Sequence, residues 1–116
     1  SSFLRKLLIS PGSPIPCPSV MYHRKKLDGF RFDTSFQVNM DWDAWCRLAE
    51  MDGSFCFARG ILMAHRIHGQ SQTTWGIQHQ HRQSEDLRIY SRLWPSPWDI
   101  LLAKLYAYSY HSNREK

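Results

Sequence analysis

A stretch that begins at Asp41 constrains the fold more than any other part of the sequence. Its apolar side chains recur at spacings of three and four residues: Trp42, Trp45, Leu48 and Ala49. This spacing places them on one stripe of a helix, which must pack on a core. Asp41 is a good N-cap, Asp43 adds negative charge to the first turn, and Gly53 suits the C-terminal end. The sequence therefore predicts an amphipathic helix from Asp41 to Gly53.

The rest of the chain predicts short strands mixed with further helices. Four prolines within residues 10–18 exclude regular structure there. The predicted strands are residues 19–24, 55–59 and 61–68, and the further predicted helices are residues 1–9, 77–94 and 98–110. This order predicts a mixed α/β fold that ends in two helices.

The length and composition predict a small folded domain. A length of 116 residues allows one small domain or a piece of a larger one. A hydrophobic content of 42% and an aromatic content of 14% exclude a disordered tail. No apolar run approaches the roughly 20 residues needed to span a bilayer. Because the chain opens at Ser1 without a methionine or a signal-peptide pattern, we expect it to be a piece of a longer protein.

The charge is unevenly spread along the chain. The net charge is +5, yet residues 1–30 carry five bases and one acid, whereas residues 31–60 carry three bases and five acids. Nucleic-acid binders more often spread their bases along one surface, and a basic part beside an acidic one suits an anionic ligand or a membrane surface equally well. Three cysteines without a C-x-x-C pair argue against a disulfide framework and favour a reducing compartment.

Two carboxylates in the predicted helix are candidates for acid–base chemistry. Asp41 and Asp43 are two residues apart, so their side chains point roughly 200° apart around a helix. With the tryptophan stripe facing the core, Asp41 lies at the mouth of the helix, where a carboxylate can act as a general base for a hydroxyl group. A plain N-cap with a solvated neighbour explains the same two residues, and this alternative stays open.

A second cluster of polar residues follows the last predicted strand. Arg66, His68 and the hydroxyl of Ser71 form a predicted anion-binding corner that suits phosphate. His68 alone is also a candidate metal ligand through a neutral imidazole nitrogen. A histidine satisfied by local hydrogen bonds is the alternative. The wider set of histidines matches no closed zinc site: His65, His68, His79 and His81.

Four blocks of sequence occur in an order that resembles a known family. They are Pro18-Ser-Val-Met-Tyr-His-Arg24, Gly29-Phe-Arg-Phe-Asp33, Asp41-Trp-Asp-Ala-Trp-Cys-Arg-Leu-Ala49 and His65-Arg-Ile-His-Gly-Gln-Ser71. Residues 15–75 thereby resemble the C-terminal, acceptor-side half of the inverting family-2 glycosyltransferases with the GT-A fold. Met40 stands where that family usually has Glu, Ala44 where it has Leu, and His65 where it has Tyr.

The resemblance implies a fold and a role for each matching residue. Residues 1–75 would be the C-terminal part of a GT-A catalytic domain, and residues 76–116 a helical extension. Asp41 falls on the general base that deprotonates the acceptor hydroxyl. The remaining matched positions are expected to bind substrate or donor: Pro18, Ser19, Asp43, Trp45, Arg66, His68 and Ser71. His68 is expected near a divalent metal, Mg or Mn, held mostly by an N-terminal half that this chain lacks.

The implied reaction moves a sugar from a nucleotide-sugar donor to a hydroxyl of a glycan or lipid-linked acceptor, with inversion. We expect a role in the synthesis of cell-surface polysaccharide, in the cytoplasm at the inner face of the membrane. Peripheral membrane contact and self-association are further expectations, and nucleic acid is not expected as a partner. Because most of the nucleotide site is absent, we expect the chain to be inactive alone.

A rival interpretation is a non-catalytic interaction module. The chain is basic and rich in tryptophan, with five Trp residues, and such a surface suits a partner protein or an acidic surface. Salt-dependent binding without a metal or nucleotide requirement would favour this alternative. A small nucleic-acid binder is a third interpretation, and the acidic block at residues 31–60 counts against it.

Overall fold

The computed structural model describes the backbone of residues 1–64 and 78–112, and the side chains of residues 1–64 and 81–109. The described residues form four α-helices: α1 (Ser2–Ile9), α2 (Met40–Glu50), α3 (Gln78–Leu93) and α4 (Trp98–Ser112). Two short 3-10 helices, Cys17–Ser19 and Arg24–Leu27, lie in the long segment between α1 and α2. The architecture of the described residues is therefore helical.

The predicted mixed α/β fold is wrong, because none of the described residues forms a strand. Residues 20–23 are irregular and continue into the second 3-10 helix, and residues 55–64 have no regular structure. A strand exists only if a neighbouring strand accepts its backbone hydrogen bonds, and no such neighbour occurs in the described ranges. The GT-A portion with short strands is accordingly excluded as a description of these residues. Residues 65–68 of the third predicted strand lie outside them.

The core forms where α1, α2, α3 and α4 meet. α1 packs on α2, and α3 packs on α4. The buried apolar side chains are Ile9, Phe36, Trp42, Ala44, Trp45, Cys46, Ala49, Ile89, Tyr90 and Leu93. Five of these ten come from α2, which makes this helix the centre of the core. The prediction of a helix in this region is confirmed.

The two buried tryptophans of α2 also fix the path of the N-terminal segment. The indole nitrogen of Trp42 donates to the carbonyl oxygen of Ile9 at 3.0 Å, and that of Trp45 donates to the carbonyl oxygen of Ile15 at 3.1 Å. A buried indole N–H needs an acceptor, and the carbonyl groups of Ile9, at the end of α1, and of Ile15, in the proline-rich stretch, supply it. The irregular residues 10–18 are thus held against α2 rather than left loose.

The start of α2 is stabilised by a residue from α3. The carboxylate of Glu85 accepts hydrogen bonds from the backbone nitrogens of Gln37, Val38 and Asn39, at 2.6, 3.0 and 2.9 Å. Asn39 occupies the N-cap position but makes no capping bond with its side chain. A carboxylate near a helix N-terminus satisfies free N–H groups and interacts favourably with the helix dipole. The prediction that Asp41 is the N-cap is wrong, because α2 begins one residue earlier.

α4 reaches the proline-rich segment at Gly12. A Cβ added to Gly12 would lie 2.9 Å from the ring of Tyr106, and the φ angle of Gly12 is +145°. Both the contact and the backbone conformation therefore require glycine here. Tyr106 also packs on Trp42, with ring centroids 5.4 Å apart.

Among the described helices, none combines the length and the apolar character that a bilayer-spanning segment needs.

Candidate functional site

Asp41 lies in the first turn of α2, half-buried. One oxygen of its carboxylate accepts a hydrogen bond from the backbone nitrogen of Trp42 at 2.7 Å. This bond satisfies one of the N–H groups that a helix leaves free at its N-terminus. Within the described residues Asp41 forms no ion pair, so its second oxygen is not committed to a cation.

Two acidic hydrogen-bonding groups lie near the Asp41 carboxylate. Burial, then the Cys17 thiol and then Asp41 raise the pKa of the Tyr22 phenol to about 12. Burial and then Asp41 also raise the pKa of the Cys17 thiol. A carboxylate raises the pKa of a neighbouring acid because it disfavours a second negative charge. Both groups therefore carry their protons at neutral pH.

Tyr22 forms an exposed aromatic surface beside this group. Its ring stacks on Trp45, with centroids 6.0 Å apart and planes 22° apart, and meets the edge of Phe32 at 6.2 Å. Trp45 itself is fully buried, whereas Tyr22 keeps 40% of its surface exposed. Trp45 accordingly supports the tyrosine ring and does not itself face solvent. Among the described contacts, Trp45 can therefore take part in binding only indirectly, by supporting the ring of Tyr22.

Pro18 and Ser19 lie on the 3-10 turn that carries Cys17, and both are exposed. The Ser19 hydroxyl donates to the carbonyl oxygen of Pro16 at 2.7 Å, which stabilises the turn. Since a hydroxyl can accept as well as donate, its lone pairs remain open to a ligand. The segment that carries this turn and Tyr22 therefore packs on Trp45, one turn of α2 beyond Asp41.

Asp43 lies apart from this group, in the interior. Its side chain is fully buried, and its carboxylate pairs with Arg47 at 2.8 Å and with Arg92 of α3. Both oxygens are thus occupied by guanidinium groups of the protein itself. These contacts give Asp43 a structural role in the described residues, and its predicted part in binding a donor stays a prediction.

The second predicted cluster lies outside the described residues: Arg66, His68 and Ser71. Among the residues that are described, no group of three or more His, Cys, Asp or Glu side chains is placed to hold a metal ion. The divalent metal and the phosphate corner stay predictions, and both rest on His68 and its neighbours.

Neither a family model, nor a curated protein, nor a solved structure matches the chain. The glycosyltransferase resemblance therefore rests on the four sequence blocks alone.

No sequence pattern predicts a role for Tyr22 or Cys17, although both belong to the segment around Pro18. Only its contact with Trp45, which lies much later in the chain, marks Tyr22 as a candidate. Local periodicity does not reveal such a long-range pairing. Glu85 was missed for the same reason, since its three hydrogen bonds reach residues 46 to 48 positions away.

Proposed function

We propose that this chain supplies the acceptor site of a longer sugar-transferring enzyme, with Asp41 as the general base. The single observation that carries the proposal is the exposed ring of Tyr22, which stacks on Trp45, one turn of α2 beyond Asp41. A sugar presents an apolar face of C–H groups and a rim of hydroxyl groups. An aromatic ring fits the apolar face, and a neighbouring carboxylate accepts a hydrogen bond from a hydroxyl on the rim.

The proton-bearing groups around Asp41 support this assignment. The Tyr22 phenol and the Cys17 thiol are both protonated at neutral pH, so they can donate to ring or hydroxyl oxygens of the acceptor. Of the three side chains, Asp41 is the one that can accept a proton from a hydroxyl group, because the other two already carry theirs. Asp43 has both oxygens paired with arginines and offers no such capacity.

The proposed step is an inverting displacement. The acceptor hydroxyl gives its proton to Asp41 as its oxygen forms a bond to the anomeric carbon of the donor sugar. The bond from that carbon to the diphosphate oxygen breaks, and the nucleoside diphosphate leaves with the electron pair. General-base catalysis of this kind contributes about 10²- to 10⁴-fold to a rate. The nucleotide and any divalent metal would be bound mainly by the rest of the enzyme.

Two measurements test the proposal. In saturation-transfer NMR with a panel of methyl glycosides, we expect at least one glycoside to receive magnetisation from this chain. Tyr22→Ala should abolish the transfer, and Leu62→Ala, at an exposed apolar residue of the irregular segment 55–64, should not. In a longer polypeptide that contains this chain and transfers sugar, Asp41→Asn should lower turnover about 10³-fold and leave nucleotide affinity unchanged. Unchanged turnover in that variant would contradict the assignment.

We further propose that the enzyme acts in the cytoplasm on cell-surface polysaccharide, at the inner face of the membrane where lipid-linked acceptors lie. This location follows from the donor class, since nucleotide sugars are found in the cytoplasm. Fractionation of cells that express a tagged form checks it. Recovery outside the cytoplasm would contradict the location.

A non-catalytic interaction module is the second candidate, and a different surface favours it. α1 exposes four apolar side chains: Phe3, Leu4, Leu7 and Leu8. A cleft of about 570 Å³ lies between α1 and residues 52–55, and Arg5 at its edge donates to the carbonyl oxygens of Met51 and Gly53. Binding of a partner that survives Tyr22→Ala and Asp41→Asn but is lost in Leu8→Glu would favour this candidate over the acceptor site.

A further inference from the structure

α4 is apolar on two sides, and the rest of the chain covers one of them. Leu102, Ala103 and Tyr106 pack against the core. The other side carries a stripe that we call the α4 seam: Trp98, Leu101, Leu105 and Tyr108. Their exposed fractions are 59, 47, 60 and 75%. A helix that is apolar all round is normally buried, so the seam requires a second partner.

The spacing of the seam indicates that the partner is another helix. The four residues follow steps of three, four and three, which is the a-to-d pattern of a coiled coil. At 100° per residue their side chains fall within an arc of about 80°. This is a narrow stripe suited to a facing helix, whereas a helix lying on a membrane shows a wider apolar face. Ile100, which is also exposed, lies outside this arc on the far side of Lys104.

The order of residues in the seam makes it complementary to itself. Residue 103 is the midpoint between Trp98 and Tyr108 and also between Leu101 and Leu105. When two α4 helices pack antiparallel about a two-fold axis near this midpoint, Trp98 of one copy faces Tyr108 of the other, and Leu101 faces Leu105. A two-fold interface uses the same patch on both copies and therefore needs this kind of symmetry.

We propose that two copies of this chain associate through the α4 seam in an antiparallel, two-fold dimer. The exposed parts of the four side chains amount to about 500 Å² per copy, so the dimer would bury about 1,000 Å² in total. This area is at the low end for a specific interface, and the dimer is correspondingly weak and reversible. Lys104 borders the seam, and the symmetry brings two Lys104 side chains near each other across the axis. Salt therefore strengthens the dimer by screening their repulsion.

Charge exchange across the axis provides the decisive experiment, measured by sedimentation equilibrium from 5 to 500 μM. Leu101→Glu and Leu105→Lys alone should each weaken the dimer about tenfold or more, because each places a charge opposite leucine. The double variant Leu101→Glu/Leu105→Lys should regain most of this loss, because each Glu then faces a Lys of the other copy. In a parallel dimer like charges would face each other, so a double variant that stays dissociated overturns the antiparallel pairing.

Two further variants separate the seam from other causes. Tyr108→Ser changes the most exposed seam residue, which leaves the core intact, and should also weaken the dimer. Leu8→Glu introduces the same charge at an exposed leucine of α1 and should leave the dimer unchanged. A chain that is monomeric up to 500 μM, or a dimer lost in Leu8→Glu and kept in Tyr108→Ser, would overturn the proposal. Far-UV circular dichroism confirms that each variant is folded.

Discussion

The guanidinium group of Arg92 on α3 donates to the buried carboxylate of Asp43 on α2, and this ion pair joins the two central helices. Arg47 completes the arrangement from the next turn of α2, at 2.8 Å. Arg47 also donates to the carbonyl oxygen of Arg31 at 2.9 Å and stacks over the ring of Phe30. One carboxylate thereby organises α2, α3 and the segment before α2.

Replacement of Asp43 by Asn should destabilise the protein by about 2 kcal/mol. The loss of a buried partner normally costs more, but Arg47 and Arg92 are partly exposed and can turn their charges to water. Urea unfolding followed by tryptophan fluorescence measures the change. Asp52→Asn, at an exposed carboxylate, is the matched control and should fall within about 0.5 kcal/mol of the parent. Equal midpoints for the two variants would contradict the structural role of Asp43.

Replacement of Glu85 by Gln should destabilise the protein by about 2 kcal/mol, because an amide offers one acceptor oxygen in place of two and carries no charge. The amide protons of Gln37, Val38 and Asn39 should then exchange with solvent faster, since they donate to this carboxylate. Hydrogen exchange followed by NMR measures both effects. Glu50→Gln, at the exposed end of α2, serves as the control. If exchange at residues 37–39 were unaltered, the capping contact would be wrong.

Trp42 and Trp98 should differ sharply in their contribution to stability. Trp42 is fully buried, donates to Ile9, and packs on Tyr90 with ring centroids 5.4 Å apart. Trp42→Phe removes the indole donor and leaves that carbonyl only the longer bond from the Gly12 nitrogen at 3.4 Å, so it should cost about 2 kcal/mol. Trp98→Phe, at 59% exposure, should change the stability of the monomer by about 0.5 kcal/mol or less. Thermal unfolding at low protein concentration provides the comparison, and similar losses in both variants would contradict it.

The three cysteines should react at different rates with a thiol reagent. Cys17 and Cys56 are exposed, whereas Cys46 is buried in α2. Burial, with the neighbouring Asp43 carboxylate, raises the pKa of the Cys46 thiol to about 12. At pH 8 we expect two thiols to react with Ellman's reagent in the folded protein and the third only after unfolding. Rapid reaction of all three would show that Cys46 is accessible.

The same thiol should make the protein less stable at alkaline pH. The pKa of Cys46 is about 12 in the folded state and near 9 in an unfolded chain. Between these values the unfolded chain releases the thiol proton and the folded chain keeps it, so stability is full below pH 9 and falls as the pH rises. From pH 8 to pH 10 the contribution of Cys46 should be about 1 kcal/mol. The same pH change should destabilise Cys46→Ala by about 1 kcal/mol less than it destabilises the parent protein. This comparison separates the effect of Cys46 from that of Tyr90, whose pKa is also raised.

Local signals in the sequence predicted the helices well. The apolar spacing after Asp41 located α2, and the helices predicted over residues 77–94 and 98–110 correspond to α3 and α4. These signals work because a helix closes its hydrogen bonds within itself, so its pattern is local. The predicted strands failed because strand formation depends on a second strand elsewhere in the chain, which alternation in residues 19–24 or 55–59 does not reveal.

The candidate site, like the fold, could be predicted from the sequence only in part. The position of Asp41 at the mouth of α2 follows from the sequence, whereas the stacking of Tyr22 on Trp45 does not. The sequence indicates in part that Asp43 has a role separate from that of Asp41, because residues two positions apart point to nearly opposite sides of a helix. Its partner on α3 could not be predicted, because Arg92 lies 49 residues further along the chain.

The bonds from Glu85 to residues 37–39 have a consequence for the order of events during synthesis. The ribosome makes Gln37, Val38 and Asn39 well before it makes Glu85, and until then the first turn of α2 has only water for its free N–H groups. The nascent α2 therefore frays at its start, and its tryptophan stripe has no α3 to cover it. The first half of the chain cannot complete its packing without the second, so neither half is fully packed until translation has passed residue 93.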